Sequence, residues 1–159
     1  VTAAPVSRVA CLTPPGRGAI ATVGLHGPLA WDAARQLFRT RKGTELPPSP
    51  APGRFWLGRM GTDVADEVVL TLKQLEPVPW LEVHCHGGRE AVRLVVDLFR
   101  GRGLVTCSWE DFLRQTEGDP LRAEAAIALA RAPTVRTASI LLDQYSGAFA
   151  TALDDILSS

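Results

Sequence analysis

Lysine is nearly missing from this chain: of seventeen basic residues only Lys42 and Lys73 are lysines. That skew reads as genome composition and carries no functional weight. Net charge is missing as well, because seventeen acidic residues offset the basic ones. With no overall field, nucleic acid or an anionic membrane would have to be recruited by a local patch, which argues against a dedicated nucleic-acid binder. Cysteine is scarce. Cys11, Cys85 and Cys107 are odd in number and show no Cys-x-x-Cys spacing, a pattern that suits a reducing compartment better than a disulfide framework. The cytoplasm is the expected location. The opening stretch, Val1 to Val9, has neither the charged head nor the apolar run of a secretory signal, and no segment approaches the ~20 apolar residues of a membrane span. A soluble protein without membrane contact is expected. No Gly-x-Ser-x-Gly elbow occurs, and no Cys or Ser has an identifiable base at a meaningful spacing, so nucleophilic catalysis has little support.

What is present is the composition of an ordinary globular protein, 46% hydrophobic and 21% charged over 159 residues. This is enough to bury a proper core in one domain, or one domain plus an appendage. Val9 to Leu12 is a short apolar segment, a Pro-Pro-Gly-Arg-Gly turn follows, and Ala19 to Leu25 is β-rich, predicting strand, tight loop and strand. Apolar Ala30, Ala33, Ala34 and Leu37 fall at helical spacing after Pro28, predicting a helix that ends near Arg39. Thr40 to Gly53 carries Pro47, Pro48, Pro50 and Pro52 and predicts an exposed loop. Phe55 to Leu57, Glu67 to Leu72 and Trp80 to His86 predict three strands. Val92, Val95, Val96 and Phe99 recur at i, i+3, i+4 and i+7 ahead of Gly101 and Gly103, predicting a helix with a clear stop. Leu104 to Cys107 resembles a further strand, and Glu110 to Gln115 a short helix or loop. Ala123 to Ala132 predicts a helix broken by Pro133, and Val135 to Leu157 a long helix whose apolar stripe needs a partner. The expected organisation is an α+β domain over residues 1–120, with a mixed central sheet flanked by helices, followed by a helical extension over 121–159 that begins a larger helical region.

Two glycine turns are the most informative features. Thr13-Pro14-Pro15-Gly16-Arg17-Gly18 and Glu82-Val83-His84-Cys85-His86-Gly87-Gly88 each set a sharp backbone turn beside charged or imidazole side chains, and glycines let backbone N–H groups approach a small polar ligand closely. With Asp66-Glu67-Val68, Ala123-Glu124-Ala125 and Tyr145-Ser146-Gly147-Ala148, these motifs stand in the order seen in the tRNA modification GTPase MnmE, or TrmE, family. Over nearly its whole length the chain resembles that family's N-terminal domain, in divergent form.

The resemblance implies a fold similar to the folate-binding domain of aminomethyltransferases, a homodimer, and a bound one-carbon tetrahydrofolate such as 5-formyl-tetrahydrofolate. In the full-length context it implies tRNA wobble-uridine modification with an MnmG-like FAD protein and tRNA as partners. No Gly-x-x-x-x-Gly-Lys-Ser/Thr phosphate loop occurs in these residues, so this chain is expected neither to bind nor to hydrolyse GTP, and alone it is expected to be non-catalytic. The family's Thr-Gly-Glu-Asp element is replaced by a shorter segment, Lys73 to Pro79, and its Asn-Gly-Lys element is lost within Ser108 to Gly118. A degenerate scaffold or partner-docking domain that no longer binds folate is therefore an alternative, and a divergent folate-dependent one-carbon transferase a third.

A folate needs an apolar slot for the pterin, a carboxylate or amide for its donor edge, and cations for the glutamate tail. The candidate cofactor-binding residues are Gly16, Arg17, Gly18, Glu82, His86, Gly87, Gly88 and Arg89. Glu82 or Glu76 would meet the pterin edge, Arg17 or Arg89 the tail, and Trp80 or Trp109 would wall the slot. Each has a plainer reading. Arg17 between two glycines is more often a solvated loop residue, and Glu82 alternates with Leu81 and Val83 and so can face water on the open side of a sheet. His84 and His86 share one strand face and Cys85 the other, which does not make a metal site; His86 reads as a structural group tying down the turn. The Arg35, Arg39, Arg41 and Lys42 cluster suggests tRNA contact, but cations near a helix C-terminus are usually just solvated; exposed Trp31 and Trp56 would strengthen the tRNA case.

Overall fold

The computed structural model describes residues 6–14 and 18–158. Among them the element order is β1 Arg8–Cys11, β2 Ile20–His26, α1 Ala30–Leu37, β3 Phe38–Thr40, β4 Phe55–Gly61, β5 Ala65–Gln74, β6 Trp80–His86, α2 Arg89–Arg100, β7 Val105–Thr106, α3 Trp109–Thr116, α4 Pro120–Ala130, α5 Val135–Tyr145 and α6 Ala148–Leu157. The chain divides into two compact units, Val1–Phe112 and Leu113–Ser159.

In the first unit the seven strands form one sheet in the order β3-β4-β5-β6-β2-β1-β7. All pairs are antiparallel except β1 with β7, so the sheet is mixed and the architecture α+β. Alternation along the strands dictates the layering, since successive side chains leave opposite faces. On β6 Leu81, Val83 and Cys85 are buried while Trp80, Glu82 and His84 are only half-buried. The buried set joins Val23 and Leu25 of β2, Leu70 and Leu72 of β5, and Trp31, Leu37, Val95 and Phe99 of α1 and α2 in one core. Phe99 is fully buried, and its truncation to alanine would cost about 3–5 kcal/mol.

The other sheet face is covered at one end and open at the other. Phe112 closes the β1–β2 end, where Gly24 leaves room for its ring: a Cβ at Gly24 would lie 2.7 Å from Phe112 Cζ. Toward β4 and β5 the same face leaves Phe55 70% and Leu57 42% exposed.

Several expectations are refined. The first helix stops at Leu37, two residues early, because Phe38 to Thr40 pair with Gly58 to Met60 as a strand. The proline-rich loop after it is pinned, not free: Leu46 is buried and the Pro48 carbonyl accepts the Trp31 indole N–H at 3.0 Å. The long terminal helix is two helices, because Gly147 takes a left-handed φ of 97° between α5 and α6, a conformation glycine adopts without Cβ strain.

In the second unit α4 begins at a Pro with Asp119 accepting the Leu121 N–H at 2.9 Å, an N-cap with proline at the first helical turn. Thr134 caps α5 in the same way through the Thr137 N–H. Arg122 lies over the Tyr145 ring at 4.3 Å and donates to its hydroxyl, joining α4 to α5. α5 and α6 bury no residue, and Ile140, Leu142, Phe149 and Ile156 are exposed.

Candidate functional site

The two glycine turns meet. Gly87 N–H donates to the Ala19 carbonyl at 3.0 Å, and a Cβ on Gly87 would sit 2.1 Å from the Gly18 carbonyl oxygen. Only glycine permits that approach. Gly88 is the N-cap of α2, in extended backbone and with open space around it. Of the expected site residues, Gly18, Gly87 and Arg89 line one cleft of about 720 Å³, on the helix side at the end of the sheet. Gly16 and Arg17 lie outside the described residues.

Glu82 is not in that cleft. It leaves the middle of β6 on the opposite sheet face, its side chain only 19% exposed, and stands in a row of polar groups. Its Oε1 lies 3.8 Å from Lys73 Nζ and its Oε2 3.7 Å from His84 Nε2. His84 Nδ1 shares a hydrogen bond with Thr22 Oγ1 at 3.1 Å. Register explains the row: Thr22, His84 and Val69 are cross-strand neighbours, as are Gly24, Glu82 and Thr71. Gly24, opposite Glu82, carries no side chain, and the Phe112 ring occupies the space over it. Lys73 also stands 5.7 Å from the centre of the Trp80 ring, within cation–π range. The Trp80 indole N–H is buried, with no acceptor among the described residues.

His86 shares the Glu82 face at the strand end. Asp66 holds it twice, accepting the His86 backbone N–H at 3.0 Å and meeting Nδ1 at 2.5 Å. This ties the end of β6 to the start of β5 just before the glycine turn, while the ring stays 67% exposed. Cys85, between the histidines, points into the core; burial first, then the Asp66 charge, pushes its thiol up to about 11. Burial likewise raises Cys107, which lines the cleft with Cys11. Both shifts favour the protonated thiol over the reactive thiolate. No group of three or more His, Cys, Asp or Glu among the described residues is arranged to hold a metal, and none of their helices is long and apolar enough to cross a membrane.

Sequence reasoning left Lys73, Thr22 and the Asp66 carboxylate out of the site. Alternation along β5 puts Lys73 on the face of Val69 and Thr71, but its place beside Glu82 depends on strand register. The basic cluster is largely engaged with acids: Arg35 pairs with Asp32, Arg39 with Glu45 and Arg41 with Glu67. Trp31 is buried, its ring 5.7 Å from that of the half-buried Trp56, so this region lacks the exposed indole pair that tRNA contact would favour.

Comparison with known proteins places this sequence in a family. No protein-family model matches the chain. Three relatives are proteins named tRNA modification GTPase MnmE. The one from Thermotoga petrophila is 39% identical over 98 residues, 60% of this chain and 21% of the relative. That from Thermotoga sp. strain RQ2 is 31% identical over 156 residues, 93% and 34%, and that from Geobacillus thermodenitrificans 32% identical over 146 residues, 85% and 32%. The chain thus spans about a third of the length of the second and third and about a fifth of the first. Long coverage at this identity makes the chain a divergent member of the tRNA modification GTPase MnmE family, corresponding to its N-terminal domain.

Proposed function

We propose that this chain is the one-carbon tetrahydrofolate-binding and homodimerisation module of a tRNA wobble-uridine modification GTPase-like protein. The observation that carries the reading is Glu82: a half-buried carboxylate flanked by a cation, Lys73, and an aromatic plane, Trp80, on one sheet face. The carboxylate and the aromatic plane are two of the groups a folate requires. The pterin presents adjacent N–H donors that a carboxylate accepts in a charge-assisted pair, and it stacks on an indole. Lys73, 3.8 Å from the same carboxylate, would keep it ionised for the pterin edge. The bound folate would supply the one-carbon unit. The exposed Phe55 and Leu57 continue the same face, and a second copy laid over them would cover the ligand and bury apolar surface together. tRNA, a GTPase region and an MnmG-like FAD protein would act in the full-length context.

The test is calorimetric titration of the purified chain with 5-formyl-tetrahydrofolate, with light scattering on the same sample. Saturable micromolar binding to a dimer, weakened at least tenfold by Glu82→Gln, is the expected result. No heat from a folded dimer would select the scaffold reading instead.

A further inference from the structure

On the other side of the sheet the 720 Å³ cleft is left without an occupant by the Glu82 reading. Its walls are Val92 and Val96 of α2, Cys11 and Ile20 at the strand ends, and Trp109 at the start of α3. Volume and lining are those of a small-molecule site, mostly apolar with few polar groups. Among its described lining residues the one charged side chain is Arg89. Arg89 is exposed at the first turn of α2, and no carboxylate of the described residues pairs with it, in contrast to Arg93, whose guanidinium meets Glu90 at 2.6 Å.

We propose that this cleft binds a small apolar monoanion, an aromatic or branched aliphatic carboxylate, with its hydrocarbon body between α2 and Trp109 and its charge on Arg89. The charge pattern selects this class. A cationic ligand would be repelled by Arg89, and a polyanion would find one cation among the described lining residues of an apolar slot. A neutral apolar molecule would fill the walls but leave the guanidinium without a partner. Cys107, its pKa raised by burial, adds to the apolar wall. The site is independent of the Glu82 face, being separated from it by the sheet.

The probe is 2-naphthoate, titrated calorimetrically into the full 159-residue chain, with 2-naphthamide as neutral isostere. Saturable binding of one naphthoate per chain is expected, with the amide about two- to fivefold weaker, the factor an ion pair with an exposed arginine is worth. Arg89→Ala, at an exposed position that does not threaten the fold, should bring naphthoate down to the amide's level and leave the amide unchanged. Val92→Trp should block both, its folding checked by urea unfolding. No saturable binding at millimolar naphthoate, or naphthoate binding indifferent to Arg89→Ala, would overturn the proposal. Stoichiometric displacement of naphthoate by 5-formyl-tetrahydrofolate would overturn the separateness of the two sites, whereas naphthoate binding in a chain that takes up no folate would uphold the cleft and fail the Glu82 reading alone.

Discussion

Gly87 and Gly88 are adjacent in sequence, and alanine at each should have opposite consequences. At Gly87 the added methyl would lie 2.1 Å from the Gly18 carbonyl oxygen and 2.6 Å from its carbon, against a floor of 3.0 Å for real Cβ contacts, and both opposing atoms are backbone. Nothing flexible is available to yield. Accommodation means pushing the 18–20 segment away from the end of β6, which costs about 1–3 kcal/mol as overpacking. It also breaks the Gly87 N–H to Ala19 bond, worth about 1 kcal/mol, so the total is ~2–4 kcal/mol. At Gly88 no atom lies within 4 Å of the added methyl, and φ −68°, ψ 141° suit any residue. Gly88→Ala should therefore stay within ~0.5 kcal/mol of the parent, or gain slightly through a stiffer unfolded chain. Urea unfolding reads both: with a slope of about 2 kcal/mol per molar, Gly87→Ala lowers the midpoint by roughly 1–2 M and Gly88→Ala leaves it in place. Equal midpoints for the two variants would refute the close approach of the two glycine turns.

Two further outcomes follow from buried polar groups. Ser7 is 3% exposed and its hydroxyl accepts the Leu29 N–H at 2.9 Å, at the start of α1. Ser7→Ala leaves that donor unmatched and should cost ~1–3 kcal/mol, read as a lower thermal midpoint; an unchanged midpoint would show that the bond contributes nothing. His26 packs edge-on against Phe112 with ring centroids 6.3 Å apart, and desolvation first, then the Arg8 charge, lowers its pKa below the ordinary 6.5. Below that value the unfolded chain takes up a proton that the folded chain refuses, so stability contributed by neutral His26 is present above 6.5 and falls as pH drops toward the depressed folded value. Unfolding free energy measured between pH 7.5 and 5.5 should decline in the parent and decline less in His26→Phe; parallel curves would contradict the assignment.

Much of the fold was legible because its signals are local. The period of Val92, Val95, Val96 and Phe99 gave α2, and the alternation of Leu81, Val83 and Cys85 gave β6 and its two faces. What was illegible depended on tertiary partners. Phe38 to Thr40 are too short a run to signal a strand directly after a helix and become β3 because β4 offers an edge. Leu46 anchors a proline-rich loop because the core has a place for it. Gly147 sat within an apolar stripe whose period hid the break. The candidate site divided for the same reason: Glu82 and Arg89 lie seven positions apart in the sequence, yet one belongs to a strand face and the other to a helix on the opposite layer. Spacing along the chain does not report which side of a sheet a group occupies. Lys73 meets Glu82 only through the β5–β6 register, which shifts between Leu72 and Gln74.

The most direct test of the Glu82 face as the folate site uses the indole N–H signals of the four tryptophans in a nitrogen-15 spectrum recorded during titration with 5-formyl-tetrahydrofolate. Trp80 borders Glu82 through Lys73, and Trp109 lines the cleft across the sheet. With folate on the Glu82 face, the Trp80 indole signal should move to saturation while that of Trp109 stays in place. Movement of Trp109 with Trp80 unchanged would put the folate in the cleft and contradict the account.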